Sequence, residues 1–300
     1  MQRMKKKKRS VFLACCLLFS SLCLTGCEAQ KKKGDVPLLE GGLYPLEETV
    51  VGDLDGDGLE EEIRVEYVRS GMAMAGEAHL YINGTDFFEK AIDEQHGENP
   101  CEDSFFVARL APEEEWVSIG IRYDGPSSDP KTEFYRYQNG KLNFLGAVPD
   151  YAWEWDGEAF GLYVDEDGTV HGELRLNCIQ TWFAPAEWKL NEKGTLELEE
   201  QEIYYPIQHG LEEGDDGWYP ELEIHLRCEL PVYEEPGDRE AEQTMMQPQT
   251  VKLTATDDEH WTLVEGEDGT SGWFYFEDWG ILPDLGKNCM EVFDNLNMAD

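Results

Sequence analysis

The densest group of chemically capable residues in this 300-residue chain is Gly52-Asp53-Leu54-Asp55-Gly56-Asp57-Gly58-Leu59-Glu60-Glu61. Three aspartates at alternate positions, followed by Glu61, put several carboxylates on one short loop, and Gly58 permits the chain to reverse there. Clustered carboxylate oxygens are hard donors. They suit Ca2+, which takes about six to eight oxygens at about 2.3–2.6 Å. A helix–loop–helix calcium site needs a bidentate glutamate at the twelfth position from Asp53, and that position is Arg64. The residues that follow alternate, with Ile63, Val65 and Tyr67 set against Glu62, Arg64 and Glu66. That is the pattern of a half-buried strand, so the loop is expected to join strands.

The pattern DxDxDGxxE between two strands resembles the calcium loops of FG-GAP and VCBS-type repeats, the units of integrin-like β-propellers. The resemblance implies Asp53, Asp55, Asp57 and Glu61 as side-chain ligands, with the Leu59 carbonyl completing the site. It also implies Ca2+ as a structural cofactor. The family usually carries Asp at the last place, where this chain has Glu61. No histidine or nucleophile lies nearby in sequence, which argues for a structural metal over a catalytic one.

Loops of this kind need a β framework, and the spacing hints at one. The hairpin turn Asn83-Gly84 follows the strand His79 to Ile82, and Asn139-Gly140 follows Phe134 to Tyr137 in the same way. Ile63, Val65 and Tyr67 recur as Ile119, Ile121 and Tyr123, so both features repeat after 56 residues. A weaker third unit begins at Tyr163 with the turn Asp165-Glu166-Asp167-Gly168 and closes at Asn191 to Gly194. Only the first unit keeps the metal carboxylates. Chance recurrence of a common hairpin turn would give similar spacing. A closed propeller uses about four to eight blades, so the expectation is an all-β fold with a propeller-like or sandwich-like antiparallel domain over residues 44–210.

The acidic, glycine-rich stretch 211–223 reads as a linker. After it come Leu230-Pro231-Val232-Tyr233, Val251-Lys252-Leu253, His260-Trp261-Thr262-Leu263-Val264 and Gly272-Trp273-Phe274-Tyr275-Phe276. This order resembles a bacterial SH3 domain, which implies a small barrel over residues 224–285. Trp261 and Trp273 can close a barrel too small for a large aliphatic core. Together with Tyr233 they are also the candidate ligand surface. In the tail, 286–300, Cys289, Val292, Phe293 and Leu296 fall at helical spacing, which predicts a short C-terminal helix docked on the barrel.

The other end of the chain speaks of location. Six basic residues and no acid precede the apolar run Val11 to Leu24, which is the layout of an export signal. That run falls short of the roughly 20 apolar residues that span a bilayer. Leu24-Thr25-Gly26-Cys27 resembles the lipobox of bacterial lipoproteins. The resemblance implies removal of residues 1–26, lipid on the Cys27 sulfur, and a tether over 27–43. Lys31, Lys32 and Lys33 would then face anionic headgroups. The expected address is the extracytoplasmic face of the cell membrane, held by the lipid anchor.

Without the signal, 18 basic residues face 64 acidic ones. Such a balance excludes a nucleic-acid partner, which needs a basic face. Four cysteines remain beyond Cys27, namely Cys101, Cys178, Cys228 and Cys289, with no CxxC pair for zinc or redox work. Buried thiols and any of three disulfide pairings stay open. The six histidines show no ligand spacing. No nucleophile-elbow, zinc-protease, P-loop or dinucleotide motif is present. Paired carboxylates could run glycoside hydrolysis, but among 64 acids such pairs carry little information. The expectation is a non-catalytic, lipid-anchored binding or scaffold protein that contacts a cell-wall component or a surface protein. A divergent carboxylate hydrolase is the alternative.

Overall fold

Alternation of apolar and polar side chains builds nearly all the regular structure. The computed structural model describes residues 36–69, 76–88, 104–123, 129–151, 153–155, 158–207, 223–238, 240–241, 243–246, 249–277 and 280–296. The signal segment, Cys27, Lys31 to Lys33, Cys101 and most of the expected linker lie outside them. After β1 (Gly42–Pro45) comes a first antiparallel sheet, made by β2 (Val50–Gly52), β3 (Glu61–Arg69), β4 (Gly76–Ile82) and β5 (Thr85–Asp86) in that order. The second sheet runs β1, β6 (Ser104–Ala108), β7 (Ser118–Tyr123), β8 (Lys131–Gln138), β9 (Lys141–Pro149). A small hairpin of β10 (Trp153–Trp155) and β11 (Glu158–Phe160) leads to a third meander. That meander is β12 (Tyr163–Val164), β13 (Val170–Asn177), β14 (Thr181–Leu190) and β15 (Leu196–Leu198). The fold is all-β.

The two Asn-Gly turns expected 56 residues apart both close hairpins, β4–β5 and β8–β9. Asn83 and Asn139 take φ of 51° and 52°, and their glycines 74° and 73°. Positive φ at both central residues is what a two-residue hairpin turn demands, and Asn-Gly tolerates it best.

The second sheet is buried on both faces. One face sends Phe105, Val107, Ile119 and Ile121 against Ile63, Val65, Leu80 and Ile82 of the first sheet. The other sends Ala108, Phe134 and Val148 against Val170, Ala186 and Trp188 of the third. Each fully buried side chain of this size contributes about 1.5–3 kcal/mol, so this central sheet is held from both sides.

The inner face of the third sheet does not end there. Leu176, Trp182 and Ala184 continue it into a core shared with Ile224, Val251, Leu253, Val264 and Phe274. The C-terminal strands are β16 (Glu223–Leu226), β17 (Leu230–Val232), β18 (Gln243–Met245), β19 (Gln249–Thr256), β20 (Trp261–Gly266) and β21 (Ser271–Tyr275). After them come the pair β22 (Ile281–Leu282) and β23 (Lys287–Asn288), the one-turn helix α1 (Cys289–Val292), and β24 (Phe293–Asp294). Five of these make one sheet in the order β21-β20-β19-β16-β24. Residues from both sides of the expected linker therefore fill one core, and all described residues belong to a single compact unit, Gly34–Asp300. Tyr204 tightens that join through paired backbone hydrogen bonds with Thr256, at 2.7 and 3.0 Å.

Two expectations for this region change. The tail is not one helix over 286–300: α1 lasts a single turn. Asn288 caps it, its side chain accepting from the Met290 N–H at 3.0 Å while Glu291 accepts from the Asn288 N–H at 3.0 Å. Phe293 then turns extended, pairs with Leu226 and packs its ring, tilted, 5.5 Å from that of Phe274. The apolar residues at helical spacing do reach the core, but a ladder partner on β16 holds Phe293 better than another helical turn would. Trp261 and Trp273, in turn, do not fill the interior. Val264, Phe274 and Phe276 do, while the two tryptophans stand half-buried on the opposite face of their strands. Among the described residues, no helix is long and apolar enough to cross a membrane.

Candidate functional site

The acidic loop leaves β2 at Gly52 and enters β3 at Glu61, two residues paired across the ladder. Its interior is organised by its own backbone amides. Asp53 accepts from Gly56 N–H and Gly58 N–H, both at 2.8 Å, and Glu61 accepts from Leu54 N–H at 2.9 Å. Asp57 accepts from Leu59 N–H at 2.8 Å. Gly56 and Gly58 take φ of 75° and 76°, where a side chain is strained. Gly56 also lies so close to the strand-entry segment of β7 that a Cβ there would meet the Glu115 carbonyl at 1.7 Å. Leu54, fully buried, and its carbonyl, which accepts from Val117 N–H at 3.0 Å, pin the loop to the second sheet. Asn139 N–H, in the β8–β9 turn, donates to Asp55 at 3.1 Å.

This scaffold brings Asp53, Asp55 and Glu61 together, with one carboxylate oxygen of each within 4.8 Å of the others. Asp57 stands outside that group, and Leu59 is a loop residue with an exposed side chain. Asp53 and Glu61 are buried, at 2% and 6% exposure. Among the described residues, no Lys, Arg or His side chain pairs with any of the three. Burial, and after it the charges of Asp55, Asp57 and Asp53, push the Glu61 carboxyl above its ordinary value, against the lowering effect of the Leu54 amide. Buried anions without a cation are costly. A carboxylate oxygen that accepts one N–H keeps a second acceptor site, so the hydrogen-bonded oxygens here still fit a hard divalent ion.

A second loop answers the first. Asp165, Asp167, Gly168 and His171 repeat the spacing of Asp55, Asp57, Gly58 and Glu61, with histidine in the last place. The local bonds repeat as well. Asp165 accepts from Asp167 N–H at 3.1 Å as Asp55 accepts from Asp57 N–H at 3.3 Å. Asp167 accepts from Thr169 N–H at 3.0 Å, the counterpart of the Asp57–Leu59 bond. Here His171 Nε2 sits 2.8 Å from Asp165 Oδ2. That hydrogen bond, the largest of several effects, lowers the Asp165 carboxyl to about 2. The sequence had suggested no partner for His171; the spacing D-x-D-G-x-x-E/H is the signal that would have found one.

Of the candidate surface residues, Tyr233 and Trp261 are in ring contact. Tyr233 meets Trp261 edge-on at 5.4 Å, and Trp261 meets Tyr275 at 5.2 Å. Tyr233 is itself buried, exchanges backbone hydrogen bonds with Trp273, and donates its hydroxyl to Asp284 at 2.6 Å, which raises the phenol to about 12. It braces the two tryptophans and offers little surface of its own. Cys178, Cys228 and Cys289 are free thiols. Burial raises Cys178 to about 12, so it is a poor nucleophile at neutral pH. No family model, curated protein or solved structure matches this chain.

Proposed function

We propose that this chain is a lipid-anchored, extracytoplasmic binding or scaffold protein whose first β sheets are clamped by Ca2+. One observation carries the metal: the convergence of Asp53, Asp55 and Glu61, two of them buried, with no described cation opposite. An ion there would join the β2–β3 loop to the turns of the second sheet, through Leu54 and Asp55. It would act as a structural tie, in keeping with the absence of any nucleophile or histidine beside the triad among the described residues.

The finer architecture is part of the same reading. Three successive antiparallel meanders and matched Asn-Gly turns support a propeller-like arrangement for residues 44–210. A bulge between Leu253 and Ala255, and the Tyr233–Trp273 bridge that brings β17 to the edge of β21, support an SH3-like curl in the C-terminal sheet. Its outer aromatic face, Trp261 and Trp273 braced by Tyr233, is the contact surface for a cell-wall component or a surface protein. The lipid anchor rests on Leu24-Thr25-Gly26-Cys27.

The test is retention of the full chain, in detergent, on purified wall fragments and on immobilised membrane proteins, with calcium or with chelator. The expected result is calcium-dependent retention that Trp261→Ala reduces. Equal recovery with and without calcium, unchanged by Trp261→Ala, would overturn the proposal. Cys27→Ser should move the chain from the membrane to the soluble fraction.

A further inference from the structure

The segment 36–39, which precedes β1, is strapped across the acidic loop. Leu38 pairs in parallel with Asp53, and Leu39 N–H donates to the Asp53 carbonyl at 2.8 Å. Val36 N–H donates to the Gly58 carbonyl at 3.4 Å. Both acceptors belong to residues that the loop's own bonds fix, since the Asp53 carboxylate accepts from Gly56 N–H and Gly58 N–H, each at 2.8 Å. The apolar side of the strap is tied to the same place. Leu39 is buried in the first core, Leu38 packs against it, and a Cβ on Gly52 would meet Leu39 Cδ1 at 2.9 Å. These strap bonds end on the loop, whereas β1 is held separately, by its ladder to β6.

We infer that segment 36–39 is a calcium-set latch on the membrane tether. The inference rests on the calcium reading above and extends it from the loop to the strap. Asp53, Asp55 and Glu61 hold carboxylate oxygens within 4.8 Å of one another, and like charges that close repel. A divalent ion removes that repulsion and steadies the backbone of Asp53 and Gly58, so the carbonyls that hold the strap stay in place. Without the ion the loop opens locally, and the strap loses both acceptors while β1 keeps its ladder. The lipid on Cys27 is then joined to the fold at Gly42 instead of Val36. Freeing residues 36–41 lengthens the tether by about 20 Å, at about 3.3–3.6 Å per residue. Calcium thus sets how far from the membrane the domain can stand, and by linkage the latched strap favours the ion in return.

Hydrogen exchange on the full chain in detergent tests this, with calcium chloride or with chelator, beside a calorimetric titration of the same sample. Calcium should slow the Val36 and Leu39 amides at least tenfold more than those of Glu199 and Ile207, which are hydrogen-bonded along β14. Leu39→Pro removes the N–H that reaches Asp53 and should weaken calcium binding about tenfold. Leu43→Ala, at an exposed site on β1, should leave it unchanged. Exchange in the parent decides alone should Leu39→Pro fail to fold. Heat of calcium binding without added protection of Val36 and Leu39, or equal affinity in a folded Leu39→Pro chain, would overturn the latch and leave the metal site standing. No heat of binding in the parent would overturn both.

Discussion

The loops at 53–61 and 165–171 share two backbone bonds, yet they place different partners beside their acids. Both set an Asp-x-Asp-Gly turn before a strand, and both press a glycine of positive φ against the segment that precedes β7. A Cβ on Gly168 would meet the Leu110 carbonyl at 2.5 Å, as one on Gly56 would meet that of Glu115. In the second loop the last position is His171, whose ring hydrogen-bonds Asp165, so the chain itself supplies that carboxylate's partner. In the first, that position is Glu61, and a third acid, Asp53, is added. There the protein concentrates negative charge, with no described Lys, Arg or His side chain beside it. On the proposed function, one turn geometry serves as a self-contained structural corner in one place and as a cation site in the other.

The largest expected effects come from the feature the loops share. Gly56→Ala should destabilise the fold by about 3 kcal/mol, since a left-handed backbone alone costs an ordinary residue about 1–2 kcal/mol and the Glu115 carbonyl must also move. Gly168→Ala should cost less, about 2 kcal/mol, because its collision is milder. Denaturant unfolding of both variants measures this, and equal losses would show that the two corners are docked alike.

Calcium should separate the loops. At about a hundredfold excess over its dissociation constant, an ion that binds only the folded chain adds about 2.7 kcal/mol. At about 2–4 °C per kcal/mol for a chain of this size, the melting temperature should rise by about 5–10 °C. Glu61→His should abolish that rise and convert the first loop to the kind of the second. His171→Gln should leave the rise intact.

Acid–base behaviour should divide them next, and with opposite sign. The Glu61 carboxyl is held above its ordinary value, so the folded chain keeps a proton that the unfolded chain has already released. In chelator, stability should therefore fall as pH rises through that window, and Glu61→Gln should remove the slope. Asp165 is held near 2, below its ordinary 3.8. Its contribution is present above that ordinary value and is lost as pH falls through the folded one. Asp165→Asn should lower the melting temperature slightly at neutral pH, with the difference from the parent closing as pH drops from 3.8 to about 2. This is the smallest effect, because Asp165 is open to solvent and screened.

Much of the framework was legible because strands write themselves as alternation. Ile63, Val65 and Ile82 face inward as their spacing implies, and both Asn-Gly turns make the hairpins their composition demands. The acids at 53, 55 and 61 converge because the glycines between them leave one economical path. What escaped the sequence depends on partners far away in the chain. The second sheet's double burial follows from having a sheet on either side, which no local pattern in Ser118–Tyr123 states. The tail carries helical periodicity, but a vacant edge on β16 draws Phe293 into a strand. Trp261 and Trp273 look like core by size alone, whereas the pleat places them on the face opposite Val264 and Phe274.

Asp53, Asp55 and Glu61 should form one cation site, and the loop at 165–171 should form none. Calorimetric titration of calcium chloride into the chelator-stripped full chain, beside Glu61→Gln and Asp165→Asn, addresses this most directly. The parent and Asp165→Asn should each bind one equivalent of calcium, and Glu61→Gln none. A parent that releases no heat of binding, or a Glu61→Gln chain that still takes up one equivalent, would contradict it.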